Sequence, residues 1–159
     1  MHHDDESKPV SDLLKPGTTL MVGSTTHGTL AFRPLTVAGL DGERVRILLD
    51  MNEEWARELD ASQSLQVTLS DDRKNNWAWI IGEFSLSTDP SLIDELWSPF
   101  AEAYFDNGRA SEGIAVMTID VAQGRYWSAP SGRLGSLVSA VKAKFGDPEE
   151  SGEHGDIRA

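Results

Sequence analysis

The sequence predicts an α+β fold that is mainly β, in which an antiparallel sheet closes into a small barrel flanked by helices. Six or seven short stretches are rich in strand-forming residues, and several of them alternate apolar and polar residues, which is the period-2 pattern of half-buried strands. Most of them follow one another along the chain with hairpin signals such as Asp41-Gly42 between them. Closure into a barrel is expected because it removes the exposed edges of the sheet.

The predicted strands are separated by turn residues. In chain order they are 18–25, 29–38, 44–49, 65–69, 77–86, 114–121 and 125–128. A turn at Gln123-Gly124 is expected to separate the last two strands. The stretches 77–86 and 114–121 are apolar on both faces, so each of them should be covered on both sides.

The helices are predicted from capping residues and apolar stripes. Ser11 and Asn52 can each cap a short helix. Pro90 opens the longest helical pattern, and Pro99 within that pattern should kink or split the helix because proline cannot donate an intrahelical hydrogen bond. A last helix is expected from Ser131 onward.

The length of 159 residues fits one domain. We expect the barrel domain at residues 10–145, between a mobile acidic N-terminus at 1–9 and a mobile acidic C-terminal tail at 146–159. The tail carries five acidic residues against one arginine and few apolar residues to bury. The net charge of −12 disfavours nucleic acid and anionic membranes as partners.

Several classes of site are disfavoured by composition. The absence of cysteine excludes disulfides and thiolate chemistry and suits a cytoplasmic protein. The longest apolar run is about five residues, too short for a membrane span. The four histidines are scattered without the spacing of metal ligands, so no metal site is expected. No residue stands out as a catalytic acid, base or nucleophile.

An Arg33-Pro34 pair interrupts one of the apolar strands. Arg33 shares a face with Leu35 and Val37 that should be buried, and a buried guanidinium needs a partner. The partner would be either the anion of a ligand or a carboxylate of the protein; alternatively, the arginine would cap an end of the barrel. Because Pro34 has no N–H, the strand must be an edge, be bulged or turn toward a ligand there.

Four segments together resemble the general stress protein branch of the pyridoxamine 5′-phosphate oxidase-like flavoproteins. The segments are RPL at 33–35, GEFSL at 82–86, DELWSPFAEAYFDNGR at 94–109 and RYWSAPSGRL at 125–134. The resemblance covers about residues 10–145. It implies a six-stranded split β-barrel, usually a homodimer with FMN bound in the interface cleft.

The resemblance implies a cofactor role for six residues. Arg33 would reach the FMN phosphate or ribityl chain, because a guanidinium fork matches phosphate oxygens. Pro34, Leu35 and Thr36 would present their backbone to the edge of the flavin ring.

Two further residues would complete the cofactor site. Trp127 would pack near the isoalloxazine from the partner subunit, and Arg133 would lie nearby. Core burial of Trp127 and a surface salt bridge of Arg133 are the alternatives.

Three positions depart from the family pattern for phosphate binding. Where relatives place two hydroxyl residues and a cation, this chain has Leu49, Glu53 and Trp55. A carboxylate there would repel a phosphate dianion, which Arg33 would have to offset. Trp77 likewise stands about where relatives place a polar residue in contact with the ring.

The sequence therefore predicts an FMN-binding split-barrel protein, a flavin-dependent oxidoreductase of unknown substrate with a possible link to stress. One alternative is the same barrel holding another ligand, such as a deazaflavin. The other is a barrel without cofactor that acts as an interaction module. A homodimer is expected because strands apolar on both faces and five tryptophans leave more apolar surface than one small barrel hides.

Overall fold

A computed structural model of the chain describes residues 7–129 and 153–159. Its elements are β1 (Lys8–Pro9), α1 (Val10–Leu13), β2 (Thr19–Thr26), β3 (Thr29–Asp41), β4 (Arg44–Asp50), α2 (Glu54–Arg57), β5 (Leu65–Asp71), β6 (Asn76–Ser87), α3 (Pro90–Leu96), α4 (Pro99–Tyr104), a 3₁₀ turn (Gly108–Ala110), β7 (Ile114–Ser128) and β8 (Glu153–Arg158). None of the helices in this part of the chain has the length and apolar character needed to cross a bilayer.

Six of the strands form the closed antiparallel barrel that the sequence predicts. Around the barrel the order is β7, β4, β3, β2, β5 and β6, and pairing of β6 with β7 closes the ring. Strands β8 and β1 extend the sheet from the second half of β7. The α+β split-barrel prediction is confirmed.

Strand β7 is one long strand where the sequence predicts two strands and a turn. Its first half pairs with β4 and its second half with β8, while β6 runs beside both halves with one register shift at Ile81/Gly82. The predicted turn at Gln123-Gly124 is wrong. Gly124 instead allows close packing within the sheet, because a Cβ there would lie 2.9 Å from the carbonyl oxygen of Trp79.

The C-terminal residues 153–158 differ from the predicted acidic tail, because they form β8. Ile157 is only 6% exposed and belongs to the main core, so this segment does have apolar surface to bury. Lys8 and Pro9 pair with β8 in parallel, so the sheet begins before residue 10. The predicted last helix and the first part of the tail lie outside the described residues.

The core has two layers. The barrel interior holds the larger cluster, which includes Leu20, Val37, Ile47, Ile80, Met117 and Tyr126. A second cluster lies between helices α3 and α4 and the outer face of the sheet, where Phe105 packs with Ile114 and Val116. The first part of β7 is therefore buried on both faces, as its apolar pattern predicts.

The helices that cover the sheet end where the proline pattern predicts. Helix α3 ends at Leu96, and α4 begins at Pro99 after a cap at Ser98, whose Oγ accepts a hydrogen bond from the Ala101 amide at 3.2 Å. The other predicted caps are wrong: α1 follows Pro9 and α2 follows Glu53, and neither has a side-chain cap. Ser11 and Asn52 do not cap these helices because their side chains donate to other groups, Ser11 to Glu43 and Asn52 to Asp50.

Candidate functional site

A cavity of about 420 Å³ lies between the outer face of β3 and helix α4. One wall is formed by residues 34–38 of β3 and Leu48 of β4, and the opposite wall by Phe100 and Tyr104 of α4 together with their neighbours. The loop at 16–17 closes one end. Most of the lining is apolar, which is typical of a site for a small organic molecule.

The backbone of β3 has an unpaired edge beside this cavity. The whole of β2 pairs with residues 29–36 of β3, and in this pairing Met21 lies opposite Pro34. Strand β4 pairs with β3 only from Val37 onward, and the register shifts between Val37 and Gly39. Pro34 thus lies where the strand is an edge, as its missing N–H predicts.

Arg33, next to Pro34, is half-buried and held by groups of its own chain. Its Nη1 donates to Ser24 Oγ at 2.7 Å, and its Nη2 donates to the carbonyl oxygen of Ala31 at 3.2 Å. The guanidinium carbon lies 4.4 Å from the ring centroid of Trp55, within cation–π distance. Burial lowers the pKa of Arg33, and the negative charge of Glu53 opposes that change.

Glu53 lies at the centre of a cluster that we name the Glu53 cluster, composed of Arg33, Glu53, Trp55 and Tyr104. The Glu53 carboxylate accepts hydrogen bonds from the Trp55 indole N–H and from the Tyr104 hydroxyl, the second at 3.1 Å. Burial raises the pKa of Tyr104, and Glu53 and Asp50 raise it further. Because Tyr104 also lines the cavity, the Glu53 cluster adjoins the cavity at that point.

The structure brings together half of the predicted cofactor residues. Pro34, Leu35 and Thr36 line the cavity, whereas Arg33 adjoins it without being part of its lining. Trp127 lies near the end of β7, paired with Trp77 and 44% exposed, so core burial does not describe it. It does not line the cavity of its own chain.

Arg133 lies outside the described residues, so its predicted place near the cofactor remains a prediction. Leu49, the first of the three predicted departures from the family pattern, is 1% exposed and belongs to the barrel interior. Glu53 and Trp55 occupy the other two positions and contact each other within the Glu53 cluster, where Trp55 also contacts Arg33.

The aromatic wall of the cavity was missed by sequence reasoning. Tyr104 and its neighbour Phe105 fit the apolar stripe of a helix, which points to anchoring of the helix. Phe105 is 4% exposed and does anchor it, but Tyr104 is 50% and Phe100 61% exposed. Their rings lie roughly parallel, with centroids 6.4 Å apart. An exposed aromatic pair four residues apart on one helix is the signal that could have revealed this wall.

The described residues fit the ring of FMN and do not fit its phosphate. The apolar walls and the unpaired edge of β3 suit a flat heterocycle with polar groups on its rim. Among the described residues that line the cavity, none carries a positive charge. The guanidinium of Arg33 donates to Ser24 and does not belong to the cavity lining. The hydroxyl of Tyr104, the lining residue that belongs to the Glu53 cluster, donates to the carboxylate of Glu53. No group of three metal-ligating side chains was found within residues 7–129 and 153–159.

Comparison with solved structures finds the same fold in proteins from several bacteria. A general stress protein 26 from Jannaschia sp. CCS1 is 25% identical, with a TM-score of 0.71 over 93% of this chain and 94% of its own. A general stress FMN/FAD binding protein from Xanthomonas citri is 22% identical, with a TM-score of 0.64 over 75% and 85% of the two chains. A pyridoxamine 5′-phosphate oxidase-related, FMN binding protein from Nostoc punctiforme is 10% identical, with a TM-score of 0.57 over 90% and 89%.

Sequence comparison agrees with the fold. A search of curated proteins finds no match. The family model described as pyridoxamine 5′-phosphate oxidase like matches residues 5–150, which is nearly the whole chain. The resemblance predicted from the sequence is confirmed: this chain belongs to the pyridoxamine 5′-phosphate oxidase-like family.

Proposed function

We propose that this protein binds a flavin by its ring in the cavity between β3 and α4 and uses it as a redox cofactor for a small-molecule substrate. The observation that carries the proposal is the cavity itself. Its volume of about 420 Å³ lies within the range of about 300–1,000 Å³ that is usual for ligand sites. One protein of the same fold is named as FMN/FAD binding and another as FMN binding, which supports the choice of a flavin as ligand.

The residues of this chain would bind the ring and shield it from water. The unpaired backbone edge of residues 34–36 offers hydrogen-bonding groups to the polar rim of a heterocycle. Phe100 and Tyr104 offer aromatic surface on the opposite side. When bound, a flavin supplies electron and hydride transfer, so the protein needs to contribute binding and orientation.

The proposal includes a homodimer. Trp127 is 44% exposed on β7 and does not line the cavity of its own chain. It can therefore contribute to a flavin site only by reaching the cavity of a second copy. In that arrangement Trp127 would cover a face of the ring that the cavity leaves open to solvent.

Titration of riboflavin and FMN against the purified protein tests the proposal. We expect flavin fluorescence to change saturably with protein concentration. Thr36→Trp should weaken binding of both flavins at least about tenfold, because Thr36 lines the cavity and an indole would occupy it. Thr29→Trp is the matched control, since Thr29 is an exposed threonine on the same strand outside the cavity.

Two results would contradict the proposal. The first is that neither flavin binds the wild-type protein at concentrations of about 100 μM, which would leave the barrel without a flavin role. The second is that Thr36→Trp and Thr29→Trp bind flavins equally well, which would place the flavin outside this cavity.

A further inference from the structure

We infer that the cavity selects a ligand without a phosphate, so that riboflavin, or another uncharged flat heterocycle with a hydroxyl-bearing tail, binds at least as tightly as FMN. This inference rests on the proposed function, because it concerns the same cavity. It goes beyond that function by stating the chemistry of the ligand's tail, which carries hydroxyl groups and no phosphate. The Glu53 cluster carries the argument.

The first step is that a protein carboxylate already lies at the Tyr104 end of the cavity. Glu53 is fixed there by the indole N–H of Trp55 and the hydroxyl of Tyr104. These two donors come from different elements, α2 and α4, so the carboxylate is held on both sides. A phosphate approaching Tyr104 would meet a fixed negative charge.

The second step is that the nearby cation is not available to balance a phosphate. The guanidinium of Arg33 donates to Ser24 and to the carbonyl oxygen of Ala31, and it stacks on Trp55. Binding a phosphate would require Arg33 to leave at least some of these partners. The Ser24 contact lies in a buried place, since Ser24 is 1% exposed. Its loss would leave a buried hydroxyl without that hydrogen bond.

The third step is that the charges around the Tyr104 hydroxyl are negative. Both Glu53 and Asp50 raise the pKa of Tyr104, which is the expected effect of negative charge on a group that becomes an anion. The net charge of the whole chain is −12, which also disfavours a phosphate dianion.

The Glu53 carboxylate can accept hydrogen bonds from an uncharged tail of the ligand. The oxygen Oε1 of Glu53 accepts from Tyr104 and Oε2 accepts from Trp55. Each carboxylate oxygen has more than one acceptor site, so hydroxyl groups of a polyol tail could donate to the remaining ones. The Glu53 cluster therefore disfavours a phosphate and favours a hydroxyl at the same position.

Riboflavin and FMN are the matched pair of probes, because they differ only in the phosphate. We expect wild-type protein to bind riboflavin as tightly as FMN or more tightly, as measured by fluorescence titration at low salt. Glu53→Gln removes the charge but keeps a carbonyl for Trp55 and an amide for Tyr104. This variant should bind FMN about threefold to tenfold more tightly than wild type. Its affinity for riboflavin should stay the same or fall, because an amide offers fewer acceptor sites to hydroxyl groups than a carboxylate does.

Glu54→Gln is the control for net charge. Glu54 neighbours Glu53 and is exposed, and its side chain is outside the Glu53 cluster. The ratio of the riboflavin affinity to the FMN affinity should therefore be the same in Glu54→Gln as in wild type. Circular dichroism of all three proteins checks that the fold is retained.

Each outcome separates the inference from the proposed function. If FMN binds wild type measurably more tightly than riboflavin, the inference is wrong while the flavin function stands. The same holds if Glu53→Gln leaves the ratio of affinities unchanged, or if Arg33→Ala weakens FMN but not riboflavin, which is what a phosphate contact by Arg33 predicts. If neither flavin binds any of the proteins, the proposed function itself fails.

Discussion

At the scale of single residues, the Tyr104 hydroxyl couples the cavity to the end of the barrel. Its ring lines the cavity, and its oxygen donates to Glu53 at the start of α2. The hydrogen bond joins residues 51 positions apart in the sequence. Such a bond constrains the position of α4 relative to α2, so it should contribute to stability as well as to the shape of the cavity.

Tyr104→Phe removes this hydrogen bond and keeps the aromatic wall. We expect the free energy of unfolding to fall by about 0.5–1.5 kcal/mol at neutral pH, the usual net value of one hydrogen bond. The pKa of Tyr104 is raised in the folded chain, so its contribution is complete below the unfolded value of about 10 and is lost as the pH rises through the folded value.

Urea unfolding of wild type and Tyr104→Phe at about pH 7 and pH 10.5 measures this effect. The difference in stability between the two proteins should shrink at the higher pH, because the phenolate no longer donates to Glu53. A difference that stays constant between the two pH values would contradict the coupling of Tyr104 to Glu53.

Sequence reasoning found part of the site at this scale. The strand containing Pro34 was predicted to be an edge, to be bulged or to turn toward a ligand there, because proline cannot donate to a neighbouring strand, and it is an edge there. For Arg33 the sequence left a ligand anion and a protein carboxylate open as partners. It could not foresee the hydroxyl of Ser24 and the ring of Trp55, because both depend on how β2 and α2 pack against β3.

At the scale of elements, β8 binds the C-terminal segment to the barrel. It pairs with β7 from Arg125 to Ser128 and buries Ile157 beside Gly124. The sequence did not predict this strand, because the segment is short and acidic and its one large apolar residue gives no detectable period. The barrel strands were predictable since each is a β-rich segment that alternates over several residues or is apolar on both faces, whereas β8 depends on the edge that β7 offers.

Ile157→Ala should therefore destabilise the protein. We expect the free energy of unfolding to fall by about 2–5 kcal/mol, the usual cost of removing a buried isoleucine side chain. His154→Ala is the control, because His154 is exposed on the same strand and should change stability by less than about 0.5 kcal/mol. Thermal unfolding followed by circular dichroism measures both. Equal melting temperatures for the two variants would show that β8 contributes little.

At the scale of the whole molecule, an exposed apolar patch marks one side of the barrel. Met21, Leu30 and Phe32 are each 41–44% exposed on the outer face of β2 and β3. Pro34 lies opposite Met21 on the same face, which makes the patch continuous with the cavity. Phe32 packs over Gly23, where a Cβ would lie 2.6 Å from its ring. Apolar groups that cluster in this way usually mark an interaction surface.

We expect this patch to form the interface of a homodimer. Light scattering after size exclusion should give twice the 17.4 kDa mass of the chain for wild type and the monomer mass for Phe32→Lys. Leu86→Lys is the control, because Leu86 is 39% exposed on β6, which is separated from β2 by β5. A monomeric wild type, or a dimeric Phe32→Lys, would contradict this interface.

The way the sheet ends beyond β7 bears on aggregation. The second half of β7 extends past β4, and an uncovered β7 would offer other chains a row of free hydrogen-bonding groups. Strand β8 covers that row from Arg125 to Ser128, and β1 pairs with β8 at Ile157 and Arg158. In the described part of the chain the outermost strand is thus two residues long, and one of them is Pro9, which has no N–H to donate. Beside Ile157 and Arg158, the sheet therefore ends in a strand that is a poor template for adding another chain.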